Sequence, residues 1–386
     1  MIDSISTEVI SSTYDGGRLW FHPRACPVPH AGGTKLVMTG QSISGSDVFG
    51  HVHWMTSTDG GRSWSDPEPI PELGRRVRDD GIEDGVCDAV PEYHAPTGTV
   101  LLLAFNVYYR DDVLTMADRE RHVVYSVLDP ATGRWSGRRR MPWDEPGASA
   151  MYTSNCSQRV TLDHRDGERA GDVIVPLTFG PLGRTHRDVC TVRCAFDGAE
   201  LRVAEQGSHH ELPVRRGLLE PSVTRIGDTF FLTVRAEDDR GYVSSSADGL
   251  HWEPLRPWCW EDGEPLVMST TQQRWLPHGD ALFLVYTRRT EANRNVFRWR
   301  APLWVAEVDR DRLCLRRDTE RVVLPLKGDG VNDPDGVPRM GNFHTAAVSP
   351  HESIVTVGEC LPAAGYQGET LLARVRWCRP NRLFVS

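Results

Sequence analysis

Short apolar runs separated by polar, Gly-rich and Pro-rich stretches recur along the whole chain, and almost none of them has the 3.6-residue period of an amphipathic helix. Runs at 35–39, 51–55, 99–105, 122–126, 172–177, 190–194, 229–234, 281–286, 303–308 and 353–357 predict strands, with 222–224 and 346–348 as shorter ones. Between them lies a repeated turn. In Ser57-Thr58-Asp59-Gly60-Gly61-Arg62-Ser63-Trp64 the aspartate can accept from amides of its own turn, the glycines permit positive φ, and the tryptophan re-enters the apolar layer. A shorter cousin, Ser246-Ala247-Asp248-Gly249-Leu250-His251-Trp252, recurs much later, and Asp129-Pro130-Ala131-Thr132-Gly133-Arg134-Trp135 reads as a worn copy between them. Repetition at intervals of about one four-stranded sheet predicts an all-β, six-bladed β-propeller. The run at 7–11 and the run at 370–377 have no partners nearby, so the N- and C-terminal strands are expected to close one blade together.

Composition adds limits. The 386 residues suffice for one such ring, and Pro and Gly are scattered rather than pooled, so 1–386 reads as a single domain without a linker. Twelve tryptophans supply large rings to wedge between sheets. The formal charge of −9 argues against a general nucleic-acid or anionic-membrane binder, which needs a basic surface, but leaves room for a local basic pocket. No leader-like or membrane-spanning run is present, which makes a cytoplasmic location the expectation. The nine cysteines lack a CxxC pair and sit mostly among apolar strand residues, so free buried thiols are expected, with neither a metal nor a cofactor implied. The charged, Gly-containing stretch 72–88 reads as a functional loop on one face.

The first turn fits the Asp-box S-x-D-x-G-x-x-W without a mismatch, and the second fits with one residue deleted. On these motifs the chain resembles the sialidase superfamily of propellers. Stretches such as Cys156-Ser157-Gln158-Arg159, Thr271-Gln272-Gln273-Arg274-Trp275, Tyr286-Thr287-Arg288-Arg289 and Asn295-Val296-Phe297-Arg298-Trp299-Arg300 are similar to bacterial sialidase-like proteins. Their polar residues, Gln273 and Arg289 among them, suit sugar hydroxyls, and Trp275 and Trp299 offer ring faces.

The resemblance implies roles position by position. Three arginines holding a substrate carboxylate fall on Arg24, Arg235 and Arg300, and the planar guanidinium fork matches a carboxylate bidentately. The acid/base aspartate falls on Asp47, some ten residues ahead of the first Asp-box, with Asp84 and Asp88 in reserve and Asp88 also counted among substrate-binding residues. The glutamate partner of the family's tyrosine nucleophile falls on Glu220. The tyrosine itself should stand near Gly341-Asn342-Phe343-His344, where there is none. Asn342 or His344 occupies that point, Tyr242 or Tyr152 is the alternative phenol, and a two-carboxylate inverting route through Glu220, Glu359 and Asp47 needs no tyrosine at all.

The expectation is therefore a carbohydrate-active enzyme, an exo-acting glycoside hydrolase on an acidic sugar whose partner is a small-molecule or oligosaccharide substrate. A polysaccharide lyase-like propeller on uronate glycans, using His94, His344 and Tyr93 for proton transfer, is the first alternative. A non-catalytic glycan-binding propeller is the second.

Overall fold

In a computed structural model of the chain, residues 1–31, 33–115, 119–143, 151–268 and 270–384 are described. The apolar runs form strands, each paired antiparallel with its chain neighbour. Five blades are each wound from one uninterrupted stretch of chain. Blade I runs from Phe21–His30 through Gly33–Gly45 and Val48–Ser57 to Glu68–Pro69. Blade II is built on Glu83–His94, Thr99–Arg110 and Val123–Asp129. Blade III has Val173–Gly180, Asp188–Phe196 and Leu201–Gln206 outside an inner strand broken into Met151–Thr153 and Val160–Thr161. Blade IV is Leu218–Ile226, Thr229–Ala236, Gly241–Ser246 and Arg256–Pro257. Blade V is built on Arg274–His278, Ala281–Tyr286 and Leu303–Asp309.

The closing sheet is different in kind. It joins Arg339–Met340, His344–Ser349, Glu352–Leu361 and Gln367–Trp377 to the N-terminal strand Ile2–Ser12, in a register that sets Ile2 opposite Trp377 and Ser12 opposite Glu369. The expectation of six blades is thus corrected to five, while the two chain ends do pair as expected. The ring holds five contiguous blades and a composite sheet stitched from both ends of the chain, and strand number varies from four in blades I and IV to seven in blade II. Short extra strands at the sheet margins account for that variation, and the spacing of turn motifs does not register them.

Most of the apolar core lies between neighbouring sheets. Trp258 and Trp275, both fully buried, meet edge-on at 5.9 Å between blades IV and V, with Phe231 against Trp275. Burying a large apolar side chain contributes about 1.5–3 kcal/mol, so these wedges hold adjacent sheets at a fixed angle. Trp275 is therefore core and offers no face to a sugar. The turn at Ser57 closes as its residue types dictate. Asp59 Oδ1 accepts from the Ser57 hydroxyl at 2.7 Å and from the amides of Arg62 and Ser63 at 2.9 and 3.0 Å, while Gly60 and Gly61 take φ of 73° and 84°. The buried guanidinium of Arg374 ties the closing sheet to this turn, donating to Glu8 at 2.8 and 2.9 Å, to Glu352 at 2.6 Å and to the Gly60 carbonyl at 2.8 Å.

Two inner strands defied the sequence pattern. Phe21–His30 carries Pro23, Pro27 and Pro29, tolerable because an innermost strand is a sheet edge that needs partners on one side only. The stretch read as a loop at 72–88 instead contains a 3-10 turn, the short strand Arg76–Val77 and the start of Glu83–His94, which places Asp88 on an inner strand.

Candidate functional site

The innermost strands bring their N-terminal portions together around the axis, and there they depart from regular pairing. Register shifts fall between Phe21 and Arg24, between Cys87 and Val90, and between Leu219 and Ser222. Within them His22, Asp88 and Glu220 take φ of 51°, 56° and 50°, and Cys156 takes 55° in the interrupted strand of blade III. A left-handed conformation at a residue other than glycine costs of order 1–3 kcal/mol, and a bulge re-aims the side chain it carries. Here the same device is repeated in successive sheets. It turns His22, Asp88 and Glu220 toward a cavity of about 500 Å³ at one end of the axis.

Hairpin tips and loops build the walls. Asp47, with φ of 58°, sits in the two-residue turn between Gly45 and Val48 of blade I, and its carbonyl accepts from the Tyr109 hydroxyl at 3.0 Å. Arg235 lies on Thr229–Ala236, one strand outward from Glu220. Arg298 and Arg300 come from the long connection between the second and third strands of blade V. Asn293, fully buried, holds that connection in shape by donating to the carbonyls of Arg288 and Ala301 at 2.9 and 2.8 Å, and the Arg300 carbonyl accepts from the Met340 amide at 3.0 Å.

The lining is strongly basic, with seven arginines against the carboxylates of Asp47, Asp88 and Glu220. Some of this charge is met locally. Arg235 donates to Glu220 at 2.7 Å and to Glu237 at 3.3 Å, and Arg216 donates to Glu237 at 2.6 Å. Arg300 is different. Among the described residues its guanidinium has no carboxylate partner, and its buried Nε has no acceptor. Burial, and then repulsion from Arg298 and Arg235, push its pKa down to about 10. A charge held at such a disadvantage favours any anion that enters the cavity.

Asp88 is spoken for. Its Oδ1 accepts from Arg24 at 2.6 Å and from Asn342 at 3.3 Å and lies 3.2 Å from His22 Nδ1. Burial opposes its ionisation, but the Arg24 charge and the His22 contact outweigh it and hold the carboxyl well below the usual range. Arg24 itself is 1% exposed and stands behind the cavity rather than on it, so the carboxylate grip expected of Arg24, Arg235 and Arg300 together is not how these three are arranged.

Of the remaining expected residues, Asp47, Glu220, Arg235, Arg300 and Asp88 are brought together and four are not. His344 is buried and does not line the cavity, and burial and then the charges of Arg274 and Arg24 hold it well below the usual histidine range. The Tyr242 hydroxyl donates to Asp238 at 2.6 Å, outside the cavity. Gln273 is buried between blades, bonded to Thr233 and the Met268 sulfur. Arg289 is exposed beside Trp299. The groups named for a lyase are likewise apart, with His94 bonded to the Gly171 carbonyl at 2.7 Å and to Thr97 at 2.8 Å. The Tyr152 hydroxyl donates to the Met141 carbonyl. Asn342 does reach the cavity, at the point where the resemblance expected a tyrosine.

Sequence reasoning missed Arg121, Arg187, Arg216, Arg339, His22 and Tyr366 on the same lining, where Arg298 of the stretch 295–300 also stands. The first three stand in charged or Gly-containing loops that look like solvated surface. Tyr366, with φ of 62°, sits at a hairpin tip after Gly365 and carries no motif.

Comparison with known proteins bears on the fold. No protein-family model and no curated protein matches the sequence. Among solved structures, a protein of unknown function from Dyadobacter fermentans aligns with a TM-score of 0.64 at 13% identity, over 97% of this chain and 100% of that one. A Hadza microbial sialidase aligns with a TM-score of 0.64 at 11% identity, over 96% of this chain and 68% of that one. The Trypanosoma rangeli sialidase aligns with a TM-score of 0.61 at 12% identity over 97% of this chain, which spans 60% of the trypanosomal one. At these identities what is shared is the fold, a β-propeller similar to that of sialidases.

Proposed function

We propose that this propeller is a sialidase-like carbohydrate-active enzyme, a glycoside hydrolase acting on an acidic sugar in the axial cavity. One observation carries the reading. The Arg300 guanidinium, without a carboxylate of its own, faces the same cavity as Arg235, Asp47 and Glu220. A volume of about 500 Å³ falls within the usual range for small-ligand sites, about 300–1,000 Å³. In this reading Arg300 and Arg235 grip the sugar carboxylate, which replaces the missing counter-charge. Asp47, free of ion pairs among the described residues, donates the proton to the leaving oxygen. Glu220 then serves one of two routes. It activates a water directly, or it takes the proton of the Tyr366 hydroxyl, the phenol on the lining.

The test is a panel of fluorogenic acidic glycosides, sialosides and hexuronides included, offered to the wild type and to Asp47→Asn, Glu220→Gln and Tyr366→Phe. Turnover of one of them, lowered about 10²–10⁴-fold by Asp47→Asn with affinity retained, supports the reading. Loss of turnover in Tyr366→Phe selects the phenol route, and its survival selects water. Binding of an acidic sugar without turnover by the wild type identifies a glycan-binding propeller instead.

A further inference from the structure

A single carboxylate leaves part of the arginine lining unaccounted for. Beside Arg235, Arg298 and Arg300, contributed by blades IV and V, the lining carries a second group, Arg121, Arg187 and Arg216, which meets the first where Arg216 and Arg235 share Glu237. The two groups have separate origins in the fold. Arg121 precedes the third main strand of blade II, and its carbonyl accepts from the Tyr152 amide of blade III at 3.2 Å. Arg187 and Arg216 are set side by side by their own backbones, since the Arg187 amide donates to the Arg216 carbonyl at 3.0 Å and the Leu218 amide to the Arg187 carbonyl at 3.0 Å.

Glu237, the counter-charge of Arg216, is already shared with Arg235. Arg121 has no carboxylate partner among the described residues; its Nε is buried without an acceptor, and its guanidinium lies 5.7 Å from the Phe105 ring centre. Burial lowers the Arg121 pKa, and burial followed by repulsion from Arg121 and Arg216 pushes Arg187 down to about 10. Asp47 lies within electrostatic reach of both Arg121 and Arg300. Two adjoining sets of guanidinium groups in one small cavity, each with a member that has no carboxylate partner among the described residues, describe a ligand with two anionic groups.

We infer that the cavity takes a doubly anionic glycan unit, with one anionic group on Arg300 and Arg235 and a second on Arg121, Arg187 and Arg216. The second group is a sulfate or phosphate ester or a second carboxylate, all of which an arginine cluster holds by the same charge-assisted hydrogen bonds. This rests on the carbohydrate reading above and sharpens its substrate class.

Titration calorimetry with four probes tests it: glucuronate, glucuronate bearing one sulfate ester, glucuronate bearing one phosphate ester, and digalacturonate. The wild type is expected to bind at least one dianionic probe about tenfold or more tightly than glucuronate, and the preferred probe identifies the second anion. Arg121→Gln is expected to bring that ratio close to one, Arg121→Lys to retain part of it, and Arg300→Gln to weaken all probes. Equal wild-type affinity for glucuronate and every dianionic probe overturns the inference while leaving the acidic-sugar reading intact, as does a ratio that Arg121→Gln does not change. Failure of all four probes to bind the wild type overturns both.

Discussion

Two aspartates on the same lining illustrate how a residue's surroundings fix its role. Asp47 is held by its turn and by the Tyr109 hydroxyl on its carbonyl, its carboxylate in no ion pair among the described residues, whereas Asp88 is the counter-charge of a guanidinium that is 1% exposed. Asp47→Asn is expected to change stability by less than about 0.5 kcal/mol while removing turnover. Asp88→Asn leaves Arg24 buried without an opposite charge and is expected to cost about 3–5 kcal/mol, read as a fall in the denaturant midpoint. The same pair sets a pH dependence. Because the folded Asp88 carboxyl titrates below its unfolded value of about 3.9, its contribution is fully present above that pH and is lost as the pH falls through the lower folded value. Urea melts from pH 6 down to pH 3 should therefore show a loss of stability that is smaller in Asp88→Asn than in the wild type, the other carboxyls held low in the folded state still contributing theirs.

Elements, rather than single residues, deliver the arginines. The connection carrying Arg298 and Arg300 has no regular strand, and its shape depends on Asn293, whose amide bridges its two ends and whose Oδ1 accepts from the Thr290 amide at 2.6 Å. Asn293→Ala leaves buried carbonyls unpaired and is expected to cost about 1–3 kcal/mol. It should also raise KM for the acidic substrate about tenfold with a smaller change in kcat, since the cationic loop is displaced and the carboxylates are not. An unchanged KM would dissociate this loop from binding. The bulged inner strands are the other delivering element. Their shifts in register were invisible in the sequence because the residues concerned, His22, Asp88 and Glu220, are ordinary polar residues that nothing local forces into the left-handed region.

At the scale of the molecule, the ring closes through Ile2–Ser12 on the outer edge of Gln367–Trp377, and no residue of Ile2–Ser12 lines the cavity. Removal of residues 1–12 should expose that edge and strip Glu8 from Arg374, lowering the thermal midpoint and producing association in size-exclusion chromatography, with anion affinity of the folded fraction retained. A chain of formal charge −9 that concentrates arginines in one cavity also separates two electrostatic tasks. Its acidic exterior disfavours polyanionic surfaces, while the field inside the cavity draws in a small anion.

The sequence by itself determined most of the strands outside the inner edges of blades I and II, the turns that end them and the pairing of the two chain ends, because alternation, Asp-Gly turn chemistry and unpaired terminal runs are local signals. It also placed Asp47, Glu220, Arg235 and Arg300 through a family pattern spaced along the chain. The tertiary structure alone decided the unequal make-up of the sheets, the burial of Arg24 behind Asp88, the removal of His344, Tyr242, Gln273 and Arg289 from the cavity, and the gathering of Arg121, Arg187 and Arg216 within it. The physical reason is one of distance. Whether a charged side chain is solvated surface or an unpaired group in a closed cavity depends on what other strands bring beside it, and those strands lie far away in the chain.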